Sequence, residues 1–459
     1  MIKKRCCMDD SDNKLVLKNK EIFKILHEKK GIKITNPEGQ KNLIIVPVTI
    51  NICINSKKYK IDFLKYSKYM IDILNDGFSG KIHSPYKNIE NEPNFLYSSN
   101  YIKNILDNNL ITNSEKKANI IYNAINKKTD TNIRFYLDSI VYHDTFIETT
   151  YENKDIESFI EMINKKGFKP LEKHHKHLNI NIIKFNCQTL GVSTFPWIKY
   201  VTKKVSGCMQ VFLDFCSIHP DIANNRFNKC KTLIHEVGHI FGLKHIFSCN
   251  KETLQVYSIL LGKIIFEKEM LVKINSTNAK DLKQSKNENK HNKNSYKTDE
   301  PIIKNDLIFI NKELMHDKID IQLYSDIPAQ INATNYNPFE NNIFPFHNDI
   351  PNNFSCFMDY SPDDVLTHFT ESQINIMHYM IRIFKPYLIK KTNENNKLNN
   401  CKVKLYINSK DKINNNFLLS LLTDNNSKKY YVNYDNKNNF KYSLSNIDDK
   451  LNKFIYRDK

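Results

Sequence analysis

Apolar and polar positions along the 459-residue chain change period several times, and each change marks an element. Residues 42–55 (NLIIVPVTINICIN) are dense in Val and Ile and partly alternating, which predicts a strand. Over 62–75 the apolar spacing becomes helical: Phe63, Ser67, Met70, Ile71 and Leu74 share a face. Asp62 reads as the N-cap of that helix, and Gly77 lies just beyond its end. Residues 132–142 (NIRFYLDSIVY), 178–185 (LNINIIKF) and 209–215 (MQVFLDF) predict three further strands. Residues 20–27 predict a short helix within the polar, Lys-rich stretch 1–40. Near the far end, Thr370 and Gln373 have capping-box spacing. The helix they open turns Ile374, Met377, Ile381 and Phe384 to one side and closes at Pro386. Strands and helices alternating in this way predict an α/β (α+β) fold around a twisted mixed sheet.

Two stretches break the pattern. Residues 275–305 are charged and low in complexity, and are expected to be a disordered surface insertion. From residue 392 onward the chain is rich in Asn and Lys, with apolar patches at 417–422 and 430–432. That composition fits either a small β-rich appendage or a tail.

Composition narrows the function classes. Sixty-eight Lys and Arg against 50 Asp and Glu leave a formal charge of +18, a balance that suits nucleic acid or an anionic membrane face. The excess is mostly lysine dispersed through polar tracts and gathered on no base-reading motif, so it reads as solvated surface, and no nucleic-acid partner is expected. No run approaches the ~18 apolar residues of a membrane helix, so no transmembrane segment is expected. Ten cysteines without a CxxC pair do not make a disulfide scaffold. The basic start, MIKKRCCMDD, has no apolar stretch behind it and is not a recognisable signal peptide, which leaves the compartment open. Glycine is scarce: ten residues, where ordinary usage gives roughly 32.

Two of those ten fall in residues 231–245, KTLIHEVGHIFGLKH, where the chemistry concentrates. His235 and His239 are four apart, so on a helix both imidazoles point the same way and can grip one zinc ion. Glu236 lies between them, placed to reach a water at the metal rather than the metal. Leu233, Val237, Ile240 and Phe241 form an apolar stripe on the other side. Gly242 ends the helix where a left-handed residue is needed, turning the chain so that His245 can return as a third ligand. Downstream, Met358 lies in residues 352–360 (NNFSCFMDY). Alone it reads as core packing, but after the histidine motif the stretch resembles the Met-turn of metalloproteases, a soft apolar floor beneath the imidazoles. The histidines of KHHKHL (His174, His175, His177) could hold a second metal, although a flexible basic loop is the simpler account.

The extended motif resembles that of the metzincin metalloproteases, and within them the pappalysin (cytophagalysin) family. The resemblance rests on residues 190–197 (LGVSTFPW), the histidine motif with Phe247, residues 326–330 (DIPAQ), and residues 357–361 (FMDYS) with Phe369, Thr370 and Gln373. Residues 74–78 (LNDGF) also resemble the family's entry to the catalytic domain. The match covers roughly 41–390. It departs from the family in a longer insertion between His245 and Asp326, and in keeping only Cys249 and Cys356 of the cysteines that staple secreted members.

The resemblance implies a leader over 1–40, a catalytic domain over 41–390 and an appendage over 391–459. The catalytic domain would have an upper subdomain carrying the active-site helix, and a smaller irregular lower subdomain with the Met-turn and a C-terminal helix. It implies a zinc endopeptidase acting on a protein or peptide substrate, with zinc on His235, His239 and His245 and Glu236 as the base that activates water. Tyr360 matches a position where related enzymes place a phenol near the metal. Gly191, Val192, Ser193 and Thr194 would offer a strand edge to an extended substrate. Cys6 and Cys7, after Arg5, resemble a leader element whose thiolate holds the enzyme latent. The alternative is a metzincin-fold protein that binds peptides or a partner without cleaving them.

Overall fold

The computed structural model describes residues 4–6, 16, 20–28, 43–54, 63–82, 129–143, 146–150, 156–168, 174–201, 208–247, 249, 253, 256–257, 260, 324, 327, 330–338, 346–347, 350–389, 404–408, 430–434 and 440–444. The low-complexity stretch 275–305, the patch 417–422, Asp62 and Cys7 lie outside them.

Four strands form the centre of one twisted sheet, and their sequences explain why. β2 (Ile44–Ile52), β3 (Ile133–His143), β5 (Leu178–Phe185) and β7 (Met209–Asp214) are rich in β-branched and aromatic residues. They pair in parallel in the order β7-β5-β2-β3, and β5 and β7 are almost wholly buried, as strands covered on both faces are. The short β4 (Glu148–Thr149) pairs with the end of β5. β6 (Thr189–Ser193) adds to β7 antiparallel, and β1 (Lys4–Cys6) closes that side by pairing in parallel with β6. On the other side β10 (Lys404–Asn408) pairs with β3, followed by β12 (Phe440–Leu444) and β11 (Tyr430–Tyr434). The Asn/Lys-rich C-terminal stretch therefore contributes strands to the main sheet. A separate hairpin joins β8 (Phe346–His347) and β9 (Ile350–Pro351).

Two apolar layers cover the sheet. Val46, Val48, Ile50 and Ile52 of β2 share one core with α2 (Phe63–Phe78) and α5 (Lys231–Ile240). On the opposite face Ile183, Phe185, Val192 and Phe212 pack with Ile156, Phe159, Ile160 and Ile163 of α3 (Ile156–Lys165). The remaining helices are α1 (Lys20–Glu28), the one-turn α4 (Ile198–Val201) and α6 (Glu371–Phe384). α6 opens with the expected capping box, Thr370 and Gln373 bonding reciprocally, and buries Ile374, Met377, Ile381 and Phe384.

One expectation needs correction. Gly77 does not follow α2 but lies within it. A Cβ there would stand 2.6 Å from Ile234 Cδ1, so this glycine serves the close approach of α2 to α5. The positive-φ glycine beyond the helix is Gly80, at φ 69°.

Candidate active site

α5 is buried along its whole length, including both histidines and Glu236. The helix ends as its sequence demands. Gly242 takes φ +92°, its amide donates to His239 O at 2.9 Å, and Leu243 N donates to Gly238 O at 3.0 Å. The reversal brings His245 back over the helix. Two tyrosines clamp it: Lys244 N donates to Tyr257 Oη at 2.7 Å and to Tyr324 Oη at 2.9 Å, and Tyr257 Oη bonds to Gly242 O.

The three Nε2 atoms of His235, His239 and His245 each lie 3.2 Å from the other two. Tetrahedral zinc with bonds of about 2.0–2.1 Å sets its ligands about 3.3 Å apart. The chemistry of the rings agrees. His235 Nδ1 donates to Phe357 O and His239 Nδ1 to Leu243 O, both at 2.7 Å, so in the neutral rings Nε2 carries the lone pair. Burial, helped by the Lys244 ammonium, pushes the His245 imidazole down to about 3, which keeps it neutral near neutral pH. Neutral imidazoles turned inward this closely suit a cation between them, and the residues present fit zinc.

The Met-turn has a definite job. The carbonyl that fixes His235 belongs to Phe357, the residue before Met358. Met358 is fully buried, and its sulfur fills the space beside Gly238, where a Cβ would come within 2.6 Å of Sδ. Asp359 holds the turn, accepting from Thr334 N at 3.0 Å, Tyr360 N at 2.8 Å and Gln330 Nε2 at 3.3 Å. Burial raises its carboxyl to about 6 despite those donors. Gln330 also bridges Phe247, so this residue ties the chain after His245 to Asp359 of the turn. Tyr360 is half-buried, with its ring edge-on to His245 at 5.0 Å and 5.7 Å from His235.

Glu236 is fully buried and held from β6. Ser193 Oγ donates to Glu236 Oε2 at 2.6 Å. A Cβ on Gly191 would stand 2.7 Å from Glu236 Oε1 and 2.9 Å from Thr232 Cγ2, so only glycine lets the strand pass so near the carboxylate. Val192 points away into the opposite core. Thr194 bonds back to β7 through Gln210, its amide to the carbonyl at 3.0 Å and its hydroxyl from the amide at 3.1 Å. The edge of β6 that faces away from β7 carries β1, with Cys6 opposite Gly191. Only the backbone of Cys6 is described.

Sequence reasoning named the histidines, Glu236 and Met358, but not the clamps Tyr257 and Tyr324. They sit in the long stretch after His245, where no spacing marks them. Ser193 was named for its backbone, whereas its hydroxyl holds Glu236. Cys249 and Cys356 are both thiols, and Cys356 Sγ bonds to Gln373 Oε1 at 3.3 Å.

No family model matches the chain. An uncharacterized protein of Acanthamoeba polyphaga mimivirus is 24% identical over 336 residues, 68% of this chain. The chain spans 30% of that relative's length. Among solved structures, a promirolysin mutant from Tannerella forsythia is similar with a TM-score of 0.47 and 15% identity, covering 83% of this chain and 97% of that one. Mature mirolysin from the same organism, in complex with a cleaved peptide, has a TM-score of 0.43 and 16% identity, covering 77% and 100%.

The Ser193 contact makes a prediction. A charge-assisted hydrogen bond contributes about 1.5–3 kcal/mol, so if part of it positions Glu236 for proton transfer, Ser193→Ala should lower kcat about 10-fold. Zinc content should stay unchanged. Steady-state kinetics with metal analysis checks this; a raised KM with unaltered kcat would instead assign Ser193 to substrate alignment.

Proposed function

We propose that the chain is a zinc-dependent metalloendopeptidase of the metzincin type, akin to the pappalysins. The observation that carries the reading is the convergence of three Nε2 atoms at 3.2 Å beside a buried carboxylate on the helix that carries two of them. His235, His239 and His245 would hold the metal. When bound, zinc supplies Lewis acidity, acidifying water and polarising a peptide carbonyl.

The protein's own groups do the rest. Glu236 takes the proton of the attacking water on a carboxylate oxygen and passes it to the leaving amine. Ser193 and Gly191 keep that carboxylate in place. Phe357 O and Leu243 O hold two imidazoles in the ligating tautomer. Tyr360, whose ring stands beside His245, would ligate the resting metal or hydrogen-bond the substrate's carbonyl oxygen as charge develops on it. The edge of β6 over Gly191–Ser193 would align an extended protein or peptide substrate, and β1 pairs along the adjoining Thr189 and as far as Gly191. The leader and its thiols Cys6 and Cys7 would therefore keep the cleft latent.

Purified full chain incubated with a peptide library tests the reading. Internal bonds should be cut, and a zinc chelator should abolish cutting until zinc is restored. Replacing Cys6 and Cys7 with Ala should raise the initial rate. Stoichiometric zinc with no library peptide cut by either the parent chain or the Cys6→Ala/Cys7→Ala chain would overturn the peptidase reading.

A further inference from the structure

A second group of metal-ligating side chains lies on the face of the sheet turned away from α5. β2, β3 and β5 are polar there where neighbouring positions are aliphatic: Thr49, Asn51, Ser139, Asn179 and Asn181 are all buried. They bond across the strands, Thr49 Oγ1 to Ser139 Oγ at 2.9 Å and Asn51 Nδ2 to Asn181 Oδ1 at 3.0 Å.

At the edge of this seam the register of β2 against β3 slips. Val48 faces Leu137 but Thr49 faces Ser139, so Asp138 is the extra residue of a bulge. Bulges re-aim side chains and are common beside functional sites. Asp138 is thereby set against the turn entering β5, which carries His174 and His177. That turn is fastened: His177 N donates to His174 O, and Asn179 Nδ2 to both His174 O and His177 O, all at 3.0 Å. Its two imidazoles stack, with centroids 4.9 Å apart and planes at 19°.

We propose that Asp138, His174 and His177 form a second binding site for a late first-row divalent cation, zinc or a neighbour such as cobalt. One ligand atom from each lies within 4.8 Å of the other two. His177 Nδ1 is 3.8 Å from Asp138 Oδ2. Closing these separations to the roughly 3.3 Å of a tetrahedral site needs up to about 1.5 Å of relative side-chain movement. Two imidazoles and one carboxylate suit zinc, cobalt or nickel rather than calcium, which takes oxygen ligands. Before any ion binds, Thr49 Oγ1, 2.8 Å from His177 Nδ1, and Ser139 Oγ, 3.3 Å from His174 Nε2, orient the two rings. An ion would take each ring by displacing that hydroxyl or through the other nitrogen. The side chains of Asp138 and His177 are 12% and 16% exposed, which leaves an ion a path in. His175 is exposed and stands outside the group. The cation would pin the turn before β5 to the bulge of β3.

The site is independent of the peptidase reading, and the experiment separates them. Cobalt and zinc are titrated into the full chain, into a His235→Ala/His239→Ala chain, and into that chain with Asp138→Asn added. The unaltered chain should take up two equivalents. The His235→Ala/His239→Ala chain should keep one, with a cobalt visible spectrum and a Tm that rises on adding zinc. Asp138→Asn, nearly the same shape, should abolish all three responses while metal-free Tm stays close to that of its parent. One equivalent in the unaltered chain, lost with the two alanines, would overturn the second site and leave the first standing. An equivalent that survives Asp138→Asn would also overturn it.

Discussion

Glu236→Gln is expected to lower kcat/KM by about 10²–10⁴-fold, the contribution ordinarily made by one positioned general base. The amide keeps the shape of the carboxylate and can still accept from Ser193 at its oxygen, so the helix should not move. Glu236 is not among the converging imidazoles, so zinc content should match the parent chain. Folding stability should hold or rise, because a buried charge is removed from a fully enclosed position. Peptide cleavage assays, metal analysis and thermal unfolding on one preparation check all three outcomes. Activity within ten-fold of the parent would remove Glu236 from the chemistry.

Gly242→Ala should destabilise the fold by about 2–5 kcal/mol. A side chain in the left-handed region costs roughly 1–2 kcal/mol, and overpacking a filled core adds about 1–3 kcal/mol. Both apply here: φ is +92°, and a Cβ would lie 2.6 Å from Met380 Cγ, on a methionine that is itself fully buried. Relief of the clash must move either α6 or the turn leading to His245. Zinc affinity should therefore fall along with stability, and chemical denaturation beside a competitive zinc titration measures the two together. A loss below about 1 kcal/mol with unchanged affinity would show that this turn is not what places the third imidazole.

The helix carrying the site was legible because its chemistry is dense. Two histidines at i, i+4 with a carboxylate between them, followed by a glycine and a third histidine, leave few other uses for those residues. The four central strands were legible from their β-branched runs, and α6 from its capping box. α3, absent from the sequence expectations, nonetheless carries i, i+3, i+4, i+7 apolar spacing at Ile156, Phe159, Ile160 and Ile163. Gly77 misled because glycine near a helix end usually marks a cap, whereas here a neighbouring helix needs the space. The support around the site was not legible. That Phe357 O would meet His235, 122 residues earlier, follows from tertiary packing and has no local signature. The bulge at Asp138 is equally silent, since it exists only against β2.

The paired tyrosine clamp bears on how this chain tolerates change. Tyr257 and Tyr324 are 67 residues apart, yet their hydroxyls lie 3.4 Å from each other on a single turn. An excursion that departs from and returns to one anchored point can lengthen at a cost of only about 0.6 kcal/mol per doubling. Insertions or deletions between the two anchors can thus accumulate over generations while the imidazole beside them stays in register. A stretch free to change in length and the most demanding geometry of the molecule can therefore be sequence neighbours that need not constrain each other.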